Sequence, residues 1–285
     1  MQLRHLWKKG YRSVTFDELV AERPAGRVVA ITFDDGYRSV LDHGLPILES
    51  FAMHATVFVP TDYVEQERLA DWPGMEPWLT PSQEENLRIM SWDDVRTLAA
   101  AGWEIGSHTR SHRRLRGLGS SELDRELRGS RLTCEERIQA PCRSIAYPYG
   151  SPGVDLDAAA AQAAAAAGYT AGATVPRRLA PAEALLWPRV SIGAADSLMT
   201  FKAKVSPQVR RVRAFRAWPM VDAPRRIVRD RALARSDAQR IRSVDGIRSL
   251  TEALQEQVQA QVPREHNGTA DFPQAPQPGA STEAR

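Results

Sequence analysis

Short strand-like runs alternate with helix-like segments along the first 205 residues of the chain. The strand-like runs are apolar and rich in β-branched residues, as in RVVAITF, HATVFV and YTAGATV. Between them lie segments with apolar residues at helical spacing, such as DDVRTLAAAG and SELDRELRGSRLTCEERI. This alternation predicts parallel βα units and an α/β fold. We expect a (β/α) barrel, distorted and with fewer than eight strands.

Composition divides the chain into three predicted parts. Residues 1–205 carry the strand and helix pattern and are expected to form the folded domain. Residues 206–263 are predicted to be a basic, partly helical extension, because residues 201–250 contain 14 Lys and Arg against four Asp and Glu. Residues 264–285 are predicted to be a disordered tail. A basic block is most often a solvated helix face, so we predict no nucleic-acid partner and leave contact with an anionic membrane surface open.

Two features bear on the compartment in which the protein works. No apolar run approaches the roughly 20 residues that cross a bilayer, and the N-terminal MQLRHLWKKG lacks the apolar stretch of an export signal. Cys134 and Cys142, the only cysteines, are too few for a disulfide framework, and we expect two buried thiols. The sequence as it stands therefore predicts a cytoplasmic protein, or an exported one if the natural start lies further upstream.

Chemically active residues follow three of the predicted strands. One strand ends in Asp34 and Asp35, another in His108, and a third in the Tyr147–Tyr149 stretch. In a parallel α/β barrel the active site lies at the carboxyl ends of the strands. We therefore expect these three strand ends to converge on one site.

The paired carboxylates and the two histidines suggest a metal centre. Two like charges a few Å apart raise each other's pKa unless a cation or a donor network neutralises one of them. His108 and His112 are four positions apart and can lie on one side of a turn, although this spacing alone is weak evidence. Two histidines and one carboxylate leave coordination positions open for water and substrate, which is typical of a catalytic site.

The three motifs resemble those of the NodB homology domain of polysaccharide deacetylases, carbohydrate esterase family 4. The family's TFDDG is matched at residues 32–36, its histidine motif by SHTRSH at 107–112, and its third motif by PYG at 148–150, with similar order and separations from about residue 3 to 205. The resemblance implies a NodB-type barrel that removes N-acetyl groups from an amino-sugar polysaccharide or its precursor, releasing acetate. It implies a divalent metal, with zinc as the default, and a carbohydrate substrate.

Residue by residue, the resemblance implies that Asp35, His108 and His112 hold the metal. Asp34 would be the catalytic base, and Tyr149 would offer its backbone N–H to the oxyanion. In the third motif, Ala146 stands where the family often has an arginine that orients the base. Arg189, at the end of LLWPR, could reach the same carboxylate from another strand, and we count it among the predicted catalytic residues.

Two departures keep alternatives open. The family often supplies the acid from a late histidine, but none lies between His112 and the predicted tail, and His266 in that tail is a poor candidate. Another acid, a protonated Asp34 serving both steps, or reduced activity would each fit. The chain also begins almost on a helix that other members reach after a further strand, so the N-terminus can be truncated. Hydrolysis of another amide or an O-acetyl ester, or a catalytically weak carbohydrate-binding relative, are the alternative functions.

Several aromatic and histidine residues have a simpler interpretation. Trp72, Trp78 and Trp92 could stack on sugar rings, but packing beneath a long loop explains them as well. His43 and His54 are expected to lie away from the catalytic face.

Overall fold

The computed structural model of the protein describes residues 1–175 and 182–206. The predictions for the basic extension and the tail concern residues beyond Ser206, and they lie outside the described residues together with the predicted membrane contact. The boundary predicted for the folded domain stays a prediction.

The described strands pair only in parallel. They are β1 (Arg12–Val14), β2 (Val28–Ala30), β3 (Thr32–Phe33), β4 (Thr56–Val59), β5 (Glu104–Ser107), β6 (Ser144–Ala146), β7 (Ala171–Thr174) and β8 (Trp187–Pro188). A curled six-stranded sheet has the order β3-β4-β5-β6-β7-β8, and β1 and β2 form a separate pair. The prediction of a distorted α/β barrel with fewer than eight strands in its sheet is confirmed.

Helices occupy the connections between the strands. They are α1 (Gln2–Lys8), α2 (Phe16–Glu22), a π-helical turn (Val40–Gly44) that continues as α3 (Leu45–Glu49), α4 (Thr61–Glu65), α5 (Trp92–Ala100), α6 (Ser120–Ile138), α7 (Ala158–Ala167) and α8 (Leu198–Val205). Within the described part of the chain, no helix is long and apolar enough to cross a membrane. The predicted cytoplasmic location stays a prediction.

Side-chain caps define where several helices begin. The hydroxyl of Ser91 accepts a hydrogen bond from the Asp94 backbone N–H, so the N-cap predicted for α5 is confirmed. The carboxylate of Asp157 caps α7 in the same way, and that helix begins at Ala158 instead of Asp155 as its Ala-rich sequence suggested. Asp155 is buried and accepts a hydrogen bond from the backbone N–H of Ser151.

Two segments differ in detail from the sequence-based expectation. The run RVVAITF forms two strands, because β2 pairs with β1 while β3, one residue later, pairs with β4. The rim segment 61–90, predicted to be a long loop, contains α4 and three 3-10 turns at Glu76–Trp78, Pro81–Gln83 and Glu85–Leu87.

The core lies between the curled sheet and the helices. Every residue of β4 is fully buried, as expected for a parallel strand covered on both faces. At Gly106 in β5, a Cβ atom would lie 2.5 Å from the Phe58 ring and 2.7 Å from Ser144 Oγ. Only glycine therefore allows this close strand packing. Cys134 and Cys142 are buried free thiols, as predicted.

A buried polar cluster lies at the amino ends of the strands, opposite the candidate site. Glu104, which begins β5, accepts hydrogen bonds from the Thr56 hydroxyl at 2.8 Å, from the Asp17 backbone N–H at 3.0 Å and from the Ser144 hydroxyl. Burial raises the pKa of Glu104 above its ordinary value, and these hydrogen bonds offset only part of that rise.

Candidate active site

The predicted site residues converge at the carboxyl edge of the six-stranded sheet. Asp34 and Asp35 follow β3, His108 follows β5, and Tyr149 lies in the turn after β6. Arg189 comes directly after the short strand β8. Parallel strands deliver all of these residues to one end of the sheet, which is the physical reason that a sequence spread over 155 positions forms a single site.

Asp35, His108 and His112 form a compact cluster of metal-ligating side chains. Oδ1 of Asp35 lies 3.2 Å from Nε2 of each histidine, and the three candidate ligand atoms lie within 4.8 Å of one another. The histidine side chains are 2% and 5% exposed, and that of Asp35 is 26% exposed, so the cluster is reached from one side. Two imidazole nitrogens and a carboxylate oxygen are a donor set that fits a divalent ion such as zinc.

Each histidine is held by contacts beyond the cluster. Nδ1–H of His108 donates to the backbone carbonyl of Ala146 at 2.7 Å, which leaves the Nε2 lone pair directed at the cluster. The ring of His112 stacks on Trp72 with centroids 4.0 Å apart and 25° between the planes. Tyr149 packs edge-on against the other side of His112, with a centroid distance of 5.1 Å.

The backbone at the site is strained. Asp35, Thr109, His112 and Tyr149 have φ angles of 71°, 65°, 57° and 61°, in the left-handed region that disfavours residues with a side chain. Each such residue costs about 1–3 kcal/mol and persists only where surrounding contacts hold it. Four of them within one site mean that the neighbouring structure maintains this geometry.

Ionisation within the cluster follows from burial and from the close contacts. Burial raises the pKa of Asp35, but its interactions with His108 and His112 outweigh this and leave that pKa below the ordinary value. Burial lowers the pKa of His108, but Asp35 and Asp34 raise it above its ordinary value. For His112 the effect of burial prevails, and the pKa is lowered. The carboxylate of Asp35 is therefore maintained in its ionised, metal-binding form.

Asp34 is paired with Arg189. The two guanidinium nitrogens Nη1 and Nη2 of Arg189 donate to Oδ1 and Oδ2 of Asp34 at 2.6 and 2.8 Å, and Nη1 also donates to the Thr32 hydroxyl at 3.0 Å. Burial raises the pKa of Asp34, but the charge and hydrogen bonds of Arg189 lower it below the ordinary value. Asp34 is therefore an oriented, ionised carboxylate that remains 32% exposed beside the cluster.

The turn after β6 holds Tyr149 at the edge of the cluster. Gly150 donates its backbone N–H to the Pro148 carbonyl at 2.7 Å, and the Tyr149 hydroxyl donates to the Pro73 carbonyl at 2.9 Å. The Arg114 guanidinium lies 4.2 Å above the Tyr149 ring. The backbone N–H of Tyr149 has no hydrogen-bond acceptor among residues 1–175 and 182–206, so it is available to a bound group.

Other residues considered in the sequence lie elsewhere. His43 is exposed in the π-helical turn, and His54 contacts Ser13, with Nδ1 3.2 Å from its Oγ. Trp92 is buried and donates its Nε1–H to Glu65. Apart from His108 and His112, no histidine in the described ranges contacts the predicted site residues, so the acid of the reaction stays open.

Two residues near the site were not singled out in the sequence. Arg114 stacks on Tyr149, and Glu126 on α6 accepts hydrogen bonds from the loop between the two histidines. Glu126 is a buried acidic residue within an amphipathic helix, and a charge at a position facing the core was the signal that could have found it.

The fold and the site define an α/β barrel protein with ligands for a divalent ion at the carboxyl edge of its sheet. Residues 21–172 match the family model described as polysaccharide deacetylase. The match covers more than half of the chain, and the chain belongs to the polysaccharide deacetylase family.

Two curated relatives and one solved structure illustrate the family match. The chain is 26% identical over 153 residues to YxkH of Bacillus subtilis (strain 168), which carries the family's name, and 24% identical over 162 residues to the poly-beta-1,6-N-acetyl-D-glucosamine N-deacetylase of Staphylococcus aureus (strain MRSA252). Each match covers 52% of this chain, and it covers 48% and 51% of the relatives. The chain thus spans about half the length of the curated relatives it matches.

The structural comparison supports the fold. The Streptococcus pyogenes deacetylase PplD, solved in complex with acetate, superposes with a TM-score of 0.59 and 22% identity, covering 72% of this chain and 84% of PplD. At this level of identity, the likeness establishes the fold and not the substrate.

Proposed function

We propose that the protein is a metal-dependent deacetylase that hydrolyses N-acetyl groups on an amino-sugar polysaccharide or its precursor and releases acetate. The observation that carries the proposal is a second carboxylate, Asp34, oriented by Arg189 beside the cluster of Asp35, His108 and His112. Family membership supports the reaction class, and the relative named as a poly-beta-1,6-N-acetyl-D-glucosamine N-deacetylase supports the class of substrate.

Asp35, His108 and His112 would hold the divalent ion. When bound, such an ion polarises the amide carbonyl and lowers the pKa of water towards about 7. Zinc is the expected ion, although the same donor set accepts cobalt, nickel, manganese or iron.

Asp34 would act as the base. Its carboxylate is ionised, lies next to the cluster and is fixed in orientation by two hydrogen bonds from Arg189. It would accept a proton from the water that attacks the acetyl carbonyl carbon. The backbone N–H of Tyr149 would then donate a hydrogen bond to the oxygen that becomes negative, a contribution of about 3 kcal/mol for one well-placed donor.

Asp34 is also our candidate for the acid. A carboxyl group whose pKa is lowered by Arg189 gives up its proton readily, so that Asp34, once protonated, can return the proton to the leaving amine. One residue would then serve both steps, which accounts for the lack of a third histidine near the site within the described residues.

The direct test is acetate and free-amine release from a panel of N-acetylglucosamine oligomers. We expect release that is lost on chelation, restored by zinc and abolished in Asp34→Asn. Asp124→Asn is a matched control, because Asp124 is 59% exposed on α6 and pairs only with Arg128, and it should behave as the parent. Absence of release while the protein binds one equivalent of zinc would refute this substrate class, and acetate without free amine would indicate ester hydrolysis instead.

A further inference from the structure

The loop between the two histidines has an unusual backbone. Thr109 and His112 both adopt left-handed φ angles, and only two residues, Arg110 and Ser111, separate them. The Thr109 hydroxyl accepts a hydrogen bond from the His112 backbone N–H at 3.2 Å, which closes the turn. Because both flanking residues are strained, contacts from outside the loop must stabilise this conformation.

On one side, the start of α4 holds the loop. The backbone N–H groups of Thr61 and Asp62 donate to the carbonyls of Thr109 and Arg110 at 3.1 and 2.9 Å. The carboxylate of Asp62 also accepts a hydrogen bond from Nε of Arg110 at 3.0 Å. These contacts fix the carbonyl groups of the loop and leave its N–H groups to other partners.

On the other side, Glu126 of α6 holds the loop by its N–H groups. Oε2 of Glu126 accepts from the backbone N–H groups of Arg110 and Ser111 at 3.1 and 3.0 Å, and Oε1 accepts from the Ser111 hydroxyl at 2.6 Å. The residue is 6% exposed. A carboxylate that receives three donors is suited to a site where two adjacent N–H groups point the same way.

We propose that Glu126 is a positioning residue, which sets the loop conformation that brings His112 against Asp35 and His108. This inference rests on the proposed metal site. Without the carboxylate, two backbone N–H groups of a largely buried loop lose their acceptor, and the strained turn loses the contact that opposes α4. The loop relaxes, and Nε2 of His112 moves away from the other two ligand atoms.

The test is the zinc affinity of purified variants, measured by competition with a chromophoric chelator. Loss of a residue that orients a ligand typically weakens metal binding about 10- to 100-fold, and we expect a change of this size in Glu126→Ala. Glu126→Gln should retain most of the affinity, because its amide oxygen can accept both backbone N–H groups while its NH2 group donates to the Ser111 hydroxyl oxygen.

Glu135→Ala is the matched control. Glu135 also lies on α6, and its carboxylate also accepts a backbone N–H, from Cys142 at 3.2 Å, but it does not contact the histidine loop. This variant should lose stability and keep the zinc affinity of the parent. Equal affinities of Glu126→Ala and Glu135→Ala would overturn the inference.

Two further outcomes are decisive. If Glu126→Ala does not fold, Glu126→Asp takes its place, because a side chain shorter by one methylene cannot reach both N–H groups; an unchanged zinc affinity in that variant would overturn the inference. A parent protein that binds no zinc would instead overturn the metal site, and with it the role assigned to Glu126.

Discussion

Arg189 and Asp34 join the two edge strands of the six-stranded sheet. Asp34 follows β3 and Arg189 follows β8, and within the described residues no backbone pairing links these strands. The bidentate ion pair, at 2.6 and 2.8 Å, spans that gap. Since a planar guanidinium matches both carboxylate oxygens, the contact orients Asp34 as well as charging it.

Replacing Arg189 should reduce turnover more than it reduces substrate binding. We expect Arg189→Ala to lower kcat about 100-fold, because a misplaced catalytic group costs on this order. Arg189→Lys should lie between that variant and the parent, since a lysine cannot form the bidentate contact. Steady-state kinetics of acetate release provide the measurement. Arg23→Ala is the control, because the Arg23 guanidinium lies over Trp187 of the same strand and does not contact Asp34. Activity of Arg189→Ala within about twofold of the parent would exclude the orienting role.

The pH dependence should change in the same variant. Arg189 lowers the pKa of Asp34 against the effect of burial, so its removal should raise that pKa. A base with a higher pKa becomes protonated sooner as the pH falls. The acidic limb of the kcat/KM profile of Arg189→Ala should therefore lie at higher pH than that of the parent. Profiles recorded at saturating zinc provide the test, and coincident acidic limbs would contradict the assignment of Asp34 as the base.

Gly106 should not tolerate a methyl group. A Cβ atom there would lie 2.5 Å from the Phe58 ring and 2.7 Å from Ser144 Oγ, and the surrounding core would have to shift. We expect Gly106→Ala to lower the free energy of unfolding by about 1–3 kcal/mol, measured by urea denaturation. Gly44→Ala is the control, since its nearest neighbour would be at 3.6 Å and its φ of −65° is helical. Equal stability of the two variants would show that the strands adjust more easily than their packing indicates.

Glu104 should make stability depend on pH in a predictable direction. Its pKa is raised by burial in the folded protein, so its contribution to stability is complete below the ordinary glutamate pKa and is lost as the pH rises through the folded-state value. Glu104→Gln is neutral throughout this range. The free energy of unfolding of the parent, relative to that of Glu104→Gln, should therefore fall as the pH rises above the ordinary glutamate value. A difference independent of pH, or one that grows with pH, would contradict the raised pKa.

The α/β architecture was largely predictable from the sequence. Buried parallel strands need apolar, β-branched runs such as HATVFV, and helix starts need capping residues such as Ser91, so both leave local signals. The break between β2 and β3 left no such signal, because it depends on which strands pair on either side of Ile31. Local pattern predicts that a segment is extended and does not specify its partners.

The candidate site divides in the same way. The sequence by itself identified Asp34, Asp35, His108, His112 and Tyr149, because the chemistry requires particular residue types in short motifs at strand ends. Only the tertiary structure placed Trp72 against His112, Glu126 beneath the histidine loop and both guanidinium nitrogens of Arg189 on Asp34. These contacts join residues 15 to 155 positions apart, and their formation depends on how the strands and helices pack, which no local pattern encodes.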